Sequence, residues 1–524
     1  MQMISRTWTR FRGSLDYFAA MYAVFVVGIL VPVVMIALSL TGLPGPVTAV
    51  LGIACAAVLF VLFVPTVPEE WRQVMRGKPI VVRVLWSVVI LLVVAVLARL
   101  TQFILDADNV DASLSADDDF LVKKTHLSGY VSGALMAEHD PAGLYDRHRY
   151  ESPQADSVLP AVTPQDRDAY LYPPPFLLLP RLLLLFSHDF ATLRALYYSL
   201  YVAIVLVAMF AIARWIGGRQ GGVLAALTPV VWLSLPTLAT LQIGNIHVLV
   251  LYVGGAGAMV LFQLRRNIFG GAALAFAIIA KVSPAILLVY LLVQRRWRPA
   301  VWTAVFGGLY SLATLAIFGW EPWRQFLSDG TWQRLASGEF HQFVLVERAN
   351  QLVNYSPFGL PYKANIMGWD IGDPVGPARV ITNVYTLLLL ILVAVTAIRI
   401  HRRLSAGAEG PRVRAEQLAI WLAVLTLASF RAPFGPWVYI AVGAVWMLAV
   451  YAGLMRGGKR TVALLTVAWL IIAVYNENVY FTLVAQTVIY VACFVVAWRA
   501  SAGTEPEPAP PQEDTPRTER VGAA

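Results

Sequence analysis

Three consecutive acids, Asp117, Asp118 and Asp119, stand about a dozen residues beyond an apolar run, at the start of a long polar loop. A carboxylate held there can take the proton of a hydroxyl that attacks an anomeric carbon, the role of the base in inverting sugar chemistry. Lys281 is the second such residue. It interrupts the apolar stretch 268–294, where an ammonium is expensive unless it faces a cavity or a partner, and a lipid-linked phosphate would be that partner. Arg431 closes another apolar run, and its guanidinium fork matches phosphate oxygens as well as it matches lipid headgroups. Each has a plainer explanation too. Adjacent aspartates cap helices or face water, and a lysine near a helix end snorkels to the interface.

The elements that must carry these groups follow from composition. A chain of 524 residues that is 58% hydrophobic and 14% charged, with mean hydropathy +0.66, is an all-α polytopic membrane protein. Runs long enough to cross a hydrocarbon layer of about 30 Å lie near 20–41, 47–66, 83–104, 191–215, 221–241, 245–264, 299–319, 379–398, 416–431, 434–452, 461–475 and 479–498. Lys281 divides 268–294 into two short helices, which brings the expected total to about 14, in the range 12–14.

Lys and Arg collect in alternate short connections, among them Arg72/Arg76/Lys78, Arg265/Arg266, Arg295/Arg296/Arg298 and Arg399/Arg402/Arg403. Basic short loops stay in the cytoplasm, so both termini are expected there and the two longest loops, 104–190 and 320–378, outside. In the first of these, fourteen acids outnumber six Lys and Arg. The net charge of +9 is therefore a topology signal, and a nucleic-acid partner is not expected. Cys55 and Cys493 both fall in apolar runs, which excludes a disulfide framework in the loops. The first apolar run is followed by a second, so it reads as a retained span. Residues 500–524, rich in Pro and Glu, read as a disordered cytoplasmic tail.

The loop 104–190 is too long for a connector. It shows a weak helical pattern from Phe120 to about Ala137, then Leu144-Tyr145-Asp146, then Tyr170 to Phe176 with three consecutive prolines. Asp119-Phe120, Gly143-Leu144-Tyr145-Asp146, Tyr172-Pro173-Pro174, Gln242-Ile243-Gly244-Asn245, Ala280-Lys281-Val282-Ser283-Pro284 and Asn350-Gln351 follow one another in that order. The order resembles the bacterial polyprenol-phosphate-dependent glycosyltransferases of family 87, integral membrane enzymes of the GT-C fold. The resemblance covers roughly residues 83–452, with two extra spans before it and, at Ser429 to Trp437, no histidine where the family often has one.

The resemblance implies Asp119 as general base, with Asp118 or Asp117 as substitutes, and Lys281, Arg431 and Arg348 at the donor phosphate. Asn245, His247, Gln242, Tyr172, Asn350, Gln351 and Asp146 are substrate-binding candidates, although interfacial histidines, belt tyrosines and turn-forming Asp account for several equally well. The Gly217–Gly222 segment lacks the lysine and the sheet of a nucleotide loop, so no nucleotide is expected. Nor is a cofactor, although the paired carboxylates leave a divalent metal open. The expected partners are a polyprenyl-phosphate sugar, a cell-envelope glycan or glycolipid acceptor and the bilayer of a bacterial plasma membrane. The chain divides into 1–82 with two extra spans, a catalytic core 83–452, a hairpin 453–499 and the tail. A transporter or lipid-linked sugar flippase is the rival class, but these usually carry internal repeats and midplane charges. A polysaccharide polymerase or ligase is a second rival.

Overall fold

The computed structural model describes residues 9, 11–152, 158–159, 161–328, 345, 348–431, 437–454, 459–474 and 476–503. Among them the chain is helical, with no β-strand. Helices α1 (Tyr17–Ser39), α2 (Gly45–Phe63, extended by a tight turn to Thr66) and α3 (Ile80–Leu105) match the first three expected spans. Asp16 caps α1, while α2 and α3 each start just after a proline, which suits the first helical turn because it has no N–H to lose. Trp86 on α3 stacks on Phe18 of α1 at 5.0 Å between ring centres. Its indole N–H donates to Ala226 O at 2.8 Å.

In the first long loop the single weak helical pattern becomes two helices, α4 (Asp119–Lys123) and α5 (His126–His139). Lys124 and Thr125 between them are extended. Lys123 O accepts from Asp166 N at 2.8 Å and the Lys124 ammonium reaches Asp168, so the returning strand of the loop claims the residues that would have continued the helix. After α6 (Leu178–Leu184) comes α7 (Phe190–Ile216), capped by Asp189. The next expected span is bent by 63° between α8 (Gly218–Trp232) and α9 (Leu235–Ile243), where Ser234 and Pro236 start a new helix.

The span expected at 245–264 is the shorter α10 (His247–Gln263), whose Val250–Gly257 portion is wound as a π-helix. Helices α11 (Asn267–Ala280) and α12 (Ala285–Val293) meet at Lys281 as expected. Their 14 and 9 residues give lengths of about 21 and 14 Å at 1.5 Å per residue. The hairpin starts and ends at arginine pairs and carries Lys281 at its tip.

The remaining helices are α13 (Trp297–Phe318), α14 (Glu321–Ser328), α15 (Arg348–Val353), α16 (Leu360–Ile366), α17 (Val375–Ser405), α18 (Pro411–Phe430), α19 (Trp437–Leu454), α20 (Lys459–Ala473) and α21 (Val479–Ala502). Eight of the described helices are long and apolar enough to cross a bilayer, nine if the bent pair counts as one. The remainder of the expected fourteen are shorter apolar helices, and those between Leu235 and Val293 are short because interruptions at Ser234, Gly244 and Lys281 cut the apolar runs. The proposed tail lies outside the described residues from 504 onward, and so do residues 432–436 of the segment lacking the expected histidine. Helix α18 is the most enclosed of the eight, almost wholly buried in the bundle, whereas α2 and α13 are largely exposed.

The Lys281 hairpin is seated by close helix contact. A Cβ on Gly271 of α11 would lie 2.6 Å from Trp302 Cβ and 2.9 Å from Thr303 N on α13, and backbone cannot swing aside. Overpacking of this kind costs about 1–3 kcal/mol. Gly271→Val is expected to lower the Tm of the detergent-solubilised protein by several degrees; an unchanged Tm would show that α13 is free to slide away.

Candidate active site

A left-handed turn begins the site. Gly244 ends α9 at φ +68°, a conformation that favours glycine because a Cβ would crowd the following carbonyl. The turn buries Gln242, Asn245 and His247 side by side, at 3%, 1% and 4% exposure. Gln242 is a strap: its Nε2 donates to Leu121 O at 2.6 Å, and its Oε1 accepts from Leu114 N at 2.9 Å. Both partners belong to the first long loop, so the expected substrate-binding glutamine holds the loop onto the bundle. Asn245 Oδ1 accepts from His247 N at 2.9 Å, and Asn245 Nδ2 is buried without a partner.

Helix α5 lies over this turn. The Tyr130 hydroxyl accepts from Ile246 N at 3.0 Å and meets the Tyr172 hydroxyl at 3.2 Å. Tyr172 is placed by the prolines after it and by Tyr145, whose hydroxyl donates to Tyr172 O at 2.8 Å. Burial raises both phenols, Tyr130 and Tyr172, well above their ordinary pKa, so both stay protonated. Lys281 completes the group. Its Nζ donates to the Tyr172 hydroxyl at 3.5 Å and lies 4.8 Å from the ring centre. An ammonium over a phenol face is held by the ring quadrupole, worth about 0.5–2 kcal/mol.

Asp168 and His126 meet one another in the same loop and were not expected from the sequence. The Asp168 carboxylate takes a hydrogen bond from Lys124 Nζ at 2.8 Å through Oδ1, and Oδ2 is 3.6 Å from His126 Nδ1. Its side chain is 21% exposed. Its backbone N–H donates to Ser128 Oγ at 3.0 Å. Burial lowers the His126 imidazole to about 4 against the opposing pull of Asp168, so it is neutral near pH 7. Its Nε2 is buried without a partner, and the ring meets Tyr439 edge to face at 5.4 Å. The nearby charges are then two lysines and one aspartate, a balance that suits an anion. Nothing local marks Asp168 as special, since a lone acid in an acidic loop carries no spacing signal.

The aspartate run is arranged otherwise. Asp118 caps α4, its Oδ1 accepting from Phe120 N and Leu121 N at 2.9 and 3.3 Å. Asp119 Oδ2 pairs with Lys123 Nζ at 3.0 Å and its side chain is 83% exposed; Asp117 is also exposed. Asp146 caps the short helix that follows it, accepting from His148 N at 3.1 Å. Arg431 is half-buried and its Nε donates to Thr386 Oγ1 at 2.9 Å. Arg348 and Asn350 sit on α15, the former exposed, and Gln351 Nε2 donates to Leu345 O at 2.5 Å. The bonds around Lys281 therefore unite it with Tyr172 and the Gln242–His247 turn, and none of those bonds includes Arg348, Arg431 or the aspartate run. No three His, Cys, Asp or Glu side chains converge as a metal site among the described residues.

Two outcomes test this arrangement. Gln242→Leu strands a backbone donor and an acceptor, which costs about 1–3 kcal/mol, and should speed proteolysis of the 106–125 segment; equal cleavage rates would show the strap to be dispensable. For His126 the folded pKa of about 4 lies below the ordinary 6.5, so the unfolded chain binds the extra proton between those values. Stability is full above about pH 6.5 and falls as the pH drops toward 4, and His126→Gln should flatten that part of the Tm profile. A slope that persists in the variant would assign it to another group.

Compared with curated proteins and with solved structures, the chain has no match. Residues 170–427 match the sequence profile of glycosyltransferase family 87, a stretch of just under half the chain that runs from Tyr170 through the Gln242–His247 turn and Lys281 to α18. That stretch is a glycosyltransferase family 87 region within the chain.

Proposed function

We propose that this protein is an inverting glycosyltransferase of the GT-C type, moving a single sugar, mannose or arabinofuranose, from a polyprenyl-phosphate donor to a cell-envelope glycan or glycolipid. The reaction takes place on the external face of a bacterial plasma membrane, with both termini in the cytoplasm. One observation carries the reading: Lys281, at the tip of an apolar hairpin, meets a phenol, and no carboxylate pairs with it among the described residues. A cation so placed has its counter-charge to gain, and a phosphate on a long apolar tail brings that charge to an apolar hairpin.

The chemistry needs little beyond placement. Sugar transfer breaks the bond between the anomeric carbon and phosphate, and the negative charge that develops on the leaving phosphate is stabilised by Lys281. Arg431 and Arg348 are the further candidates for that phosphate. A carboxylate of the first long loop accepts the proton of the attacking hydroxyl, and the family resemblance implies Asp119 in that role. Holding acceptor and donor in line supplies much of the remaining rate.

The test uses purified protein in liposomes with radiolabelled polyprenyl-phosphate mannose or arabinofuranose and extracted envelope acceptors. Wild type is expected to transfer one of the two sugars, and Lys281→Met to lose about 10²–10³-fold, the scale for removing one charge-stabilising group, with Lys281→Arg intermediate. Transbilayer movement of the lipid-linked sugar without any transfer would replace this reading with a flippase.

A further inference from the structure

The geometry points to Gln486, on the last helix, as a positioning residue for the proposed transfer: it latches the second long loop beside the hairpin that carries Lys281. Resting on the sugar transfer proposed above, this role falls to α21, a helix beyond the matched residues 170–427.

A span that meets only lipid and neighbouring helices has no use for a buried amide, because an unpaired amide in hydrocarbon is costly. Helix α21 carries one. Gln486 is 2% exposed. Its Nε2 donates to Ser356 O at 3.2 Å and to the Tyr490 hydroxyl at 3.1 Å, and its Oε1 accepts from Lys363 Nζ at 3.2 Å. One turn later Tyr490 donates its hydroxyl to Tyr355 O. Two consecutive carbonyls and one ammonium of the loop are thus received by two residues on one face of α21.

The loop meets this post as a preformed knob. Asn354 Oδ1 accepts from Ser356 N at 2.9 Å and from Ser356 Oγ at 2.6 Å, and Ser356 Oγ accepts from Gly359 N at 3.3 Å. A Cβ on Gly359 would lie 3.0 Å from Asn354 Oδ1, so the knob is closed tightly on itself. Helix α15, which bears the candidates Arg348, Asn350 and Gln351, runs directly into the knob and packs on α21.

Direct contacts place the knob next to the hairpin. The Tyr355 ring centre lies 6.3 Å from that of Phe430, and Phe430 lies 5.7 Å from Tyr490. Phe430 is the last residue of α18, and Ser429 before it meets Ser283 at 3.3 Å between hydroxyl oxygens, two residues along from Lys281. Arg431 follows and donates to Thr386 of α17. The latch, the loop and the tip of the hairpin therefore converge on the last turn of α18.

The latch is built to be weak. Lys363 has no exposed surface and is received by an amide oxygen and by the face of Tyr355, with no carboxylate paired to it among the described residues. Burying an ammonium against neutral partners carries a desolvation cost that a carboxylate would offset. Docked and released loops thus lie close in free energy, the condition for a loop that opens to admit a lipid-linked donor and closes over it. Loss of Gln486 shifts the balance toward the released loop. Donor affinity then falls with the docked fraction, while the saturated complex, closed by the donor itself, reacts as before.

The experiment takes two readouts on Gln486→Leu, Tyr490→Phe and Gln417→Leu, each paired with its Tm. Limited trypsin digestion of the solubilised protein follows the cut after Arg348, whose rate tracks the released population. The liposome assay gives kcat and donor KM with whichever of the two labelled donors wild type uses. Gln486→Leu is expected to speed the cut and raise donor KM by about tenfold, with kcat within about threefold. Tyr490→Phe, which keeps the ring and loses one bond to the loop, should move both in the same direction by about threefold. Gln417→Leu breaks a side-chain pair with Gln263, 2.5 Å apart at the opposite end of α18, and should leave cut and KM unchanged even where its Tm falls. An unchanged cut in Gln486→Leu overturns the latch, whatever the activity. A faster cut with unchanged donor KM, or a loss confined to kcat, overturns the positioning role, and so does an equal rise in KM in Gln417→Leu, which marks general loosening of the bundle. Failure of wild type to transfer either sugar overturns the underlying reading and the positioning role with it, while the trypsin cut still decides the latch.

Discussion

A lysine at the tip of an apolar hairpin has to be met by polar groups or by an anion, and much of the loop architecture follows from that need. Helix α11 delivers Lys281 about 21 Å from the arginine pair at its base. An ammonium left there among hydrocarbon would be expensive. The first long loop descends onto the helix ends instead of floating above them, and Tyr172, locked by three prolines and by Tyr145, supplies the phenol that receives the amine. Seating the loop then requires its own polar backbone to be satisfied below the surface, which explains the density of side chain to backbone bonds in this part of the molecule.

Gln242 and Tyr130 clasp the loop and the bundle together. One holds two backbone groups of the loop from the bundle side, and the other holds a backbone N–H of the bundle from the loop side. Each crosses more than a hundred residues of sequence. The Gly244 turn makes this reciprocal clasp feasible, because the left-handed glycine exposes the Ile246 N–H and lets Asn245 tie off the start of α10 through His247 N. The residues expected to grip substrate at this turn first build the floor on which a substrate would rest.

The second long loop is secured by a different buried cation. Lys363 on α16 has no exposed surface; it donates to Gln486 Oε1 at 3.2 Å and lies 5.1 Å from the centre of the Tyr355 ring. Burial pushes this amine down to about 7. Gln486 Nε2 in turn donates to Ser356 O at 3.2 Å. Both loops thus dock through a lysine beside a tyrosine, but Lys363 is closed off whereas Lys281 remains partly open, and that difference in access is why only Lys281 is assigned to a ligand.

The sequence alone determined the helical, membrane-type character of the chain, the interruption at Lys281 and the order of motifs that carries the family resemblance. Those features are local: apolar run length, a charge within a run, proline and glycine at turns, short motifs along the chain. Even the caps at Asp118, Asp146 and Asp189 are of this kind, since a cap serves backbone within three residues of itself. Tertiary structure decided which acid is exposed and which is enclosed. Asp119 and Asp168 are both aspartates in the same acidic loop, and nothing within a few residues distinguishes their environments. Only the return of the loop across α4 and α5 leaves one in water and encloses the other beside Lys124 and His126, and a fold that joins residues some forty positions apart leaves no trace of that choice in local pattern.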